Sequence, residues 1–133
     1  MPFEVECFDA GMDMSCLHML VVDIDRKKYL SNAFASLKHG AYMLFHGESF
    51  RENAYSGDIE SFEQWLEITG VDVDTPQLRT AIKEDGEIKV MMPLIAARPR
   101  TEQDYISEME SVGLKVIEFT HSETWAKIIV YKP

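Results

Sequence analysis

The run Ser15-Cys16-Leu17-His18 places a hydroxyl, a thiol and an imidazole within four consecutive residues. A neutral imidazole is the side chain best suited to take a proton near neutral pH, so His18 is a candidate general base. Cys16 beside it reads as a nucleophile–base pair with His18, as one of two metal ligands, or as a small buried thiol. His39, His46 and His121 are scattered along the chain and supply no third and fourth ligand at recognisable spacing. No metal site is therefore expected. The plainer reading of His18 is a ring packed at a strand end, hydrogen-bonded to a carbonyl.

Two further groups have types suited to holding a substrate. Arg98 and Arg100 flank Pro99. They read either as a bidentate clamp on an acidic acceptor or as surface arginines. Trp65, with Tyr55 and Phe50, would line an apolar pocket, unless Trp65 is simply the core face of a helix.

The elements that must carry these residues are legible in the hydrophobic pattern. Tyr29, Leu30, Ala33, Phe34 and Leu37 form one stripe of a helix expected from Arg26 to Leu37, with Asp23 and Asp25 near its positive end and Gly40 closing it. Ser61-Phe62-Glu63-Gln64 is a capping-box pattern for a second helix carrying Trp65 and Leu66 and stopped by Gly70. Thr101 precedes a third, with Tyr105, Met109 and Val112 on one face and Gly113 at its end.

Strands are expected between the helices. Residues 41–45 are apolar throughout, as in a parallel strand covered on both faces. Residues 114–119 and 125–131 read as two more. Residues 87–92 alternate charged and apolar positions, which reads as a half-exposed strand. The joint between the last two main runs is too short for a parallel crossover, so the final strand is expected to be antiparallel. The fold class is an open mixed α/β sheet of about four strands in a single domain, residues 1–133, with an insertion at 49–100.

Composition bounds the partners. Thirteen basic and 23 acidic residues give a formal charge of −10. That charge repels a polyphosphate backbone, and no nucleic-acid partner is expected. Six of the acids lie between Asp58 and Asp74 with no Lys or Arg among them. This stretch is either a solvated face or a docking surface for a basic partner. No apolar run approaches the ~20 residues needed to cross a bilayer. The start has neither the basic flank nor the apolar core of a signal peptide. Cys7 and Cys16 are too few for a disulfide framework and are expected as reduced thiols. A cytoplasmic protein without a membrane partner is the expectation.

The order of these segments resembles the second half of a class I S-adenosylmethionine-dependent methyltransferase. In that family an "FD" opens the fourth strand, a short "LH" segment follows, and an "LKPGG"-like turn leads into the fifth strand. Here Phe8-Asp9, Leu17-His18 and Leu37-Lys38-His39-Gly40 stand in that order, with His39 where the family usually has proline. A further strand, at residues 8–14, is implied by the resemblance. Residues 93–101 also resemble a tract preceding the penultimate helix in some bacterial members. The family's last strand is its lone antiparallel one, inserted between the fifth and sixth, which implies the same place for residues 125–131.

The resemblance implies that Ser15, Cys16 and His18 lie at the mouth of an acceptor pocket, near the transferable methyl group. It also implies that the insertion shapes acceptor specificity. The family's cofactor signature, a glycine-rich turn after its first strand, has no counterpart here, nor does the acid that holds the ribose. Gly11 lies inside a strand and cannot replace that turn. The cofactor-binding residues are thus unassigned, and S-adenosylmethionine is expected only with a complementary N-terminal half.

The functional expectation is a truncated or split methyltransferase carrying the acceptor-side half and inactive alone. The alternative is a non-catalytic oligomerisation or binding module on the same scaffold. A third reading is an independent Cys/His enzyme. The strand at residues 8–14 would lack its usual neighbour, and an open strand edge recruits other chains. A homo-oligomer joined there is expected. Phe3, Val5 and Cys7 alternate with Glu4 and Glu6 and could lengthen the pairing.

Overall fold

The computed structural model describes residues 4–133. The main sheet is built from Phe8–Met14 (β1), Leu37–Ser49 (β2) and two later strands, Lys115–His121 (β5) and Trp125–Tyr131 (β6). Their order is β1-β2-β6-β5. β1 and β2 are parallel, and β6 is antiparallel to both β2 and β5. The last strand therefore sits between two earlier ones, as expected from the resemblance. β6 alternates along its length because Ala126, Ile128 and Val130 enter the core while their neighbours do not.

Three helices flank the sheet: Asp23–Ser36 (α1), Phe62–Thr69 (α2) and Glu102–Ser111 (α3). α1 begins three residues before the expected Arg26, because Asp23 and Asp25 occupy its first turn. Leu30 is fully buried, and Tyr29, Ala33 and Phe34 pack on the same cluster. Gly40 does not close this helix. It does take a left-handed φ of 82°, but inside β2, where the register with β1 jumps from Phe8↔Leu37 to Ala10↔Tyr42. The extra residues arch out of the ladder there, and Leu37, already extended, ends the helix.

α2 and α3 are capped as their sequences require, with one exchange of partners. Ser61 Oγ accepts the Gln64 amide, but Gln64 Oε1 accepts the Glu60 N–H, one residue before the cap. Gly70 closes α2 at φ 64°. Thr101 and Asp104 form a reciprocal capping box on α3. Tyr105 and Met109 are buried against the sheet.

Within the insertion, Gly86–Met92 (β4) pairs antiparallel with Gln77–Lys83 (β3) as a separate two-stranded sheet. β4 is not half-exposed: every residue of both strands is exposed. The ends of the insertion meet, since Phe50 and Arg100 form a parallel bridge.

β1 does not extend toward the N-terminus. Glu6 adopts a left-handed φ of 55°, and the amides of Glu6 and Cys7 bond the carbonyls of Ala35 and Ser36 at the end of α1. Phe3 lies outside the described residues. Among the described residues, no helix is long and apolar enough to cross a membrane.

Candidate functional site

The carboxyl ends of β1 and β2 are tied together at Ser15. This residue leaves β1 with φ 64°, donates its N–H to His46 O at 2.9 Å, and donates its hydroxyl to Gly47 O at 3.1 Å. Just before it, the buried carboxylate of Asp13 organises the next turn. Asp13 Oδ1 accepts the Cys16 N–H at 2.8 Å, and Oδ2 accepts the Leu17 N–H at 3.2 Å and the Tyr29 hydroxyl at 2.8 Å. Burial and the Asp13 charge push the Tyr29 phenol well above its usual range, so it serves as a neutral donor. The result is a single 3-10 turn, Leu17–Met19, seated at the end of β1.

His18 rides on that turn and meets β2. Glu48, whose side chain is 0% exposed, accepts both the His18 backbone N–H at 2.8 Å and Nδ1 at 2.9 Å on Oε2. A carboxylate only accepts, so Nδ1 is the nitrogen that donates, and Nε2 is the ring nitrogen that Glu48 does not contact. His18 is thus held by a carboxylate rather than by a carbonyl. The other Glu48 oxygen, Oε1, has no partner among the described residues.

Arg26 of α1 locks the turn from below. Its Nη1 donates to Leu17 O at 2.8 Å and Leu20 O at 3.0 Å, while Nε and Nη2 bind the two oxygens of Glu108 on α3. The Tyr105 hydroxyl donates to Ser49 O at 2.8 Å, and burial holds its phenol protonated. The turn bearing His18 is therefore braced by β1, β2, α1 and α3 at once.

The remaining residues singled out from sequence divide between this site and its supports. Cys16 is exposed rather than buried, with Sγ 3.8 Å from Met14 O, and no hydrogen bond joins it to His18 among the described residues. The Asp13 charge and partial burial raise its thiol pKa. No group of three or more His, Cys, Asp or Glu side chains is placed to hold a metal among the described residues.

Arg98 is buried, and its guanidinium already serves protein acceptors: Val21 O at 2.9 Å, Asp23 Oδ1 at 2.6 Å and Gly57 O at 3.0 Å. Its backbone N–H donates to His18 O at 2.8 Å, which fastens the returning insertion to the His18 turn. Arg100 is only 8% exposed, yet its Nε and Nη1 have no partner among the described residues.

Trp65 is buried with Val21 and Ile59 in a second small core and stacks on Phe62 at 5.5 Å. With Tyr55, Ile59, Ile68 and Arg98 it also walls a cavity of about 260 Å³. Phe50 belongs to the main core and stacks on His121 at 4.2 Å. Ser15, Cys16 and His18 thus sit at one turn, and Arg98 touches His18 through its backbone. Trp65, on α2 within the insertion, shares a cavity wall with Arg98 instead.

Sequence reasoning missed Asp13, Arg26 and Glu48. Asp13 carries no clear signal, since Asp9 in the same strand is exposed and an acid there need not be buried. Glu48 and Arg26 carry none, because a charged residue at a strand end or helix start is ordinarily exposed.

No protein-family model and no curated protein sequence matches the chain. Solved structures do. A SAM-dependent methyltransferase from Methanosarcina mazei superposes with a TM-score of 0.61 at 14% identity, over 98% of this chain and 60% of its own. A Haloferax volcanii methyltransferase complexed with the Trm112 methyltransferase activator gives 0.59 at 14% identity, over 100% and 57%. The Burkholderia thailandensis 1,6-didemethyltoxoflavin-N1-methyltransferase, with S-adenosylhomocysteine bound, gives 0.57 at 14% identity, over 96% and 45%. The chain has a class I S-adenosylmethionine-dependent methyltransferase-like fold and spans about half to three-fifths of the length of these structures.

Proposed function

We propose that these residues form the acceptor-side half of an S-adenosylmethionine-dependent methyltransferase, in which His18 is the general base and Glu48 orients it. The observation that carries this reading is the Nδ1–Glu48 bond of 2.9 Å at the carboxyl ends of two parallel strands, the place where open α/β sheets bind ligands. When bound, the cofactor supplies an electrophilic methyl group. What this chain supplies is a bare Nε2 that takes the proton from an acceptor O–H or N–H. The buried Glu48 carboxylate then steadies the imidazolium that results.

The cofactor itself does not fit these residues alone. Gly11 is no cradle, since a Cβ there would stand 3.1 Å from Met43 Cγ inside the sheet. The cradle is therefore assigned to polypeptide outside these residues, seated against β1. Among the described residues β1 pairs only with β2, Ala10, Met12 and Met14 are exposed, and an apolar hollow of about 360 Å³ opens between β1 and α1. A parallel strand left open on one edge and one face is what a missing layer would cover.

The test joins or co-expresses these residues with a glycine-rich strand–turn–helix half. Calorimetry with S-adenosylhomocysteine should show no saturable site on the chain alone and a micromolar site on the assembly. In the assembly, His18→Ala should slow methyl transfer about 100-fold or more while leaving cofactor affinity unchanged. Equal loss of both, or of neither, would return His18 to a packing role.

A further inference from the structure

The β3–β4 hairpin stands outside both cores. All fourteen of its strand residues are exposed, including Leu78, Met91 and Ile82, the last at 84%. An isolated two-stranded hairpin is marginal in water and needs a third strand or a packed face. The described fold supplies neither.

Charge singles out the partner. The chain carries a net charge of −10, so most of its surface repels another copy of itself. The hairpin is different. Arg79, Lys83 and Lys89 balance Glu84, Asp85 and Glu87, so the whole excess of acid lies elsewhere. The two outer edges also differ. Both charges of β3, Arg79 and Lys83, are positive, and two β3 edges would repel. β4 carries one charge of each sign, Glu87 and Lys89, separated by Ile88. Neither makes an ion pair among the described residues.

We propose that β4 is the edge along which two copies of this chain pair antiparallel, joining their hairpins into one four-stranded sheet. With the two-fold axis at Ile88, Glu87 lies opposite Lys89 of the second copy, and Lys89 opposite its Glu87. Ile88 meets its own counterpart on the other face, flanked by Val90 and Met92. The contact is isologous and closed, so it stops at a dimer. A single seven-residue edge buries less than the ~1,200 Å² of a stable interface, so the dimer is micromolar and concentration-dependent. This surface is independent of the β1 edge assigned to the cofactor half.

Sedimentation equilibrium on the 133-residue chain, up to on the order of 100 μM, tests it. The chain should populate a dimer. Glu87→Lys and Lys89→Glu each set two like-charge pairs across the axis, and each should weaken the dimer about tenfold. The double swap restores both pairs and should return wild-type affinity. Met12→Lys on β1 should leave the dimer unchanged. A monomer throughout the range, a double swap no better than the singles, or a dimer lost with Met12→Lys would overturn the proposal.

Discussion

Glu48 holds His18 twice with one oxygen: Oε2 lies 2.8 Å from the His18 backbone nitrogen and 2.9 Å from its Nδ1. The two contacts fix different things. The first places the residue, and the second sets the rotation and tautomer of its ring. A side chain gripped at both points loses little further freedom when a substrate arrives, which is the preorganisation that a general base requires.

Removing the carboxylate should therefore cost stability before any reaction is assayed. Glu48→Ala strands two partly buried donors and is expected to destabilise the fold by about 1–2 kcal/mol in urea denaturation. Glu48→Gln keeps one acceptor oxygen and should cost less. In an assembled methyltransferase both variants should slow turnover, because neither carries the charge that steadies the imidazolium. Wild-type stability in Glu48→Ala would show that His18 is held by something else.

Much of the frame around this pair was readable in advance. The strand at residues 125–131 and its antiparallel sense follow from an apolar run and a joint length, which report local backbone geometry, whereas the strand at residues 8–14 follows from the family resemblance. The helix ends at Gly70 and Gly113 are equally local, since both glycines take positive φ. Gly40 has the same torsional signature, yet it bends a strand, because its N–H donates to Lys132 O, just beyond β6, and Ala41 O accepts the Lys132 N–H. The site was half legible. His18 declares itself by chemistry, but its partner lies 30 residues away, and only the parallel register Asp13↔Phe45 and Met14↔His46 brings Glu48 within reach. Arg98 shows the opposite failure. Its type invites an anion, but three protein acceptors already surround it.

Cys16 offers a test of the local field. Although exposed, its thiol is pushed above the ordinary range by the Asp13 charge and by partial burial. The thiolate fraction at neutral pH should be smaller than for an unperturbed cysteine, and iodoacetamide should react with Cys16 more slowly than with a cysteine in an unstructured peptide. The pH–rate curve should shift to higher pH. Asp13→Asn removes the charge and should move the curve back. A Cys16 that reacts faster than the peptide cysteine at pH 7 would count against this field.

Asp104 supplies a pH-dependent share of stability. Burial alone would raise its pKa, but hydrogen bonds from Ser56 and Thr101 and the nearby Arg100 charge outweigh burial and hold it below the ordinary value. A depressed carboxylate stabilises the fold fully above the unfolded pKa, roughly 3.9, and loses that contribution as pH falls through the lower folded value. Asp104→Asn should therefore cost about 1 kcal/mol at pH 7, the usual worth of a cap contact. The gap from wild type should narrow below about pH 4. Chemical denaturation at pH 7 and pH 3 measures both; a gap that widens in acid would reverse the assignment.

Ser15 and Gly47 make the last test, because they set where the His18 turn begins. Both have left-handed backbone, at φ 64° and 76°, and a Cβ on Gly47 would fall 2.5 Å from Ser15 Oγ. Gly47→Ala should lose about 1–2 kcal/mol to the backbone conformation alone. It should lose more because the serine hydroxyl must rotate off Gly47 O, its acceptor at 3.1 Å. Ser15→Gly removes that hydroxyl while relieving the left-handed strain of its own residue. The collision is absent from the double variant, which should be more stable than the two single changes predict by about 0.5 kcal/mol or more. Strict additivity in urea denaturation would mean that the hydroxyl yields freely. In that case the backbone bond from Ser15 N to His46 O, at 2.9 Å, would be what joins the two strand ends.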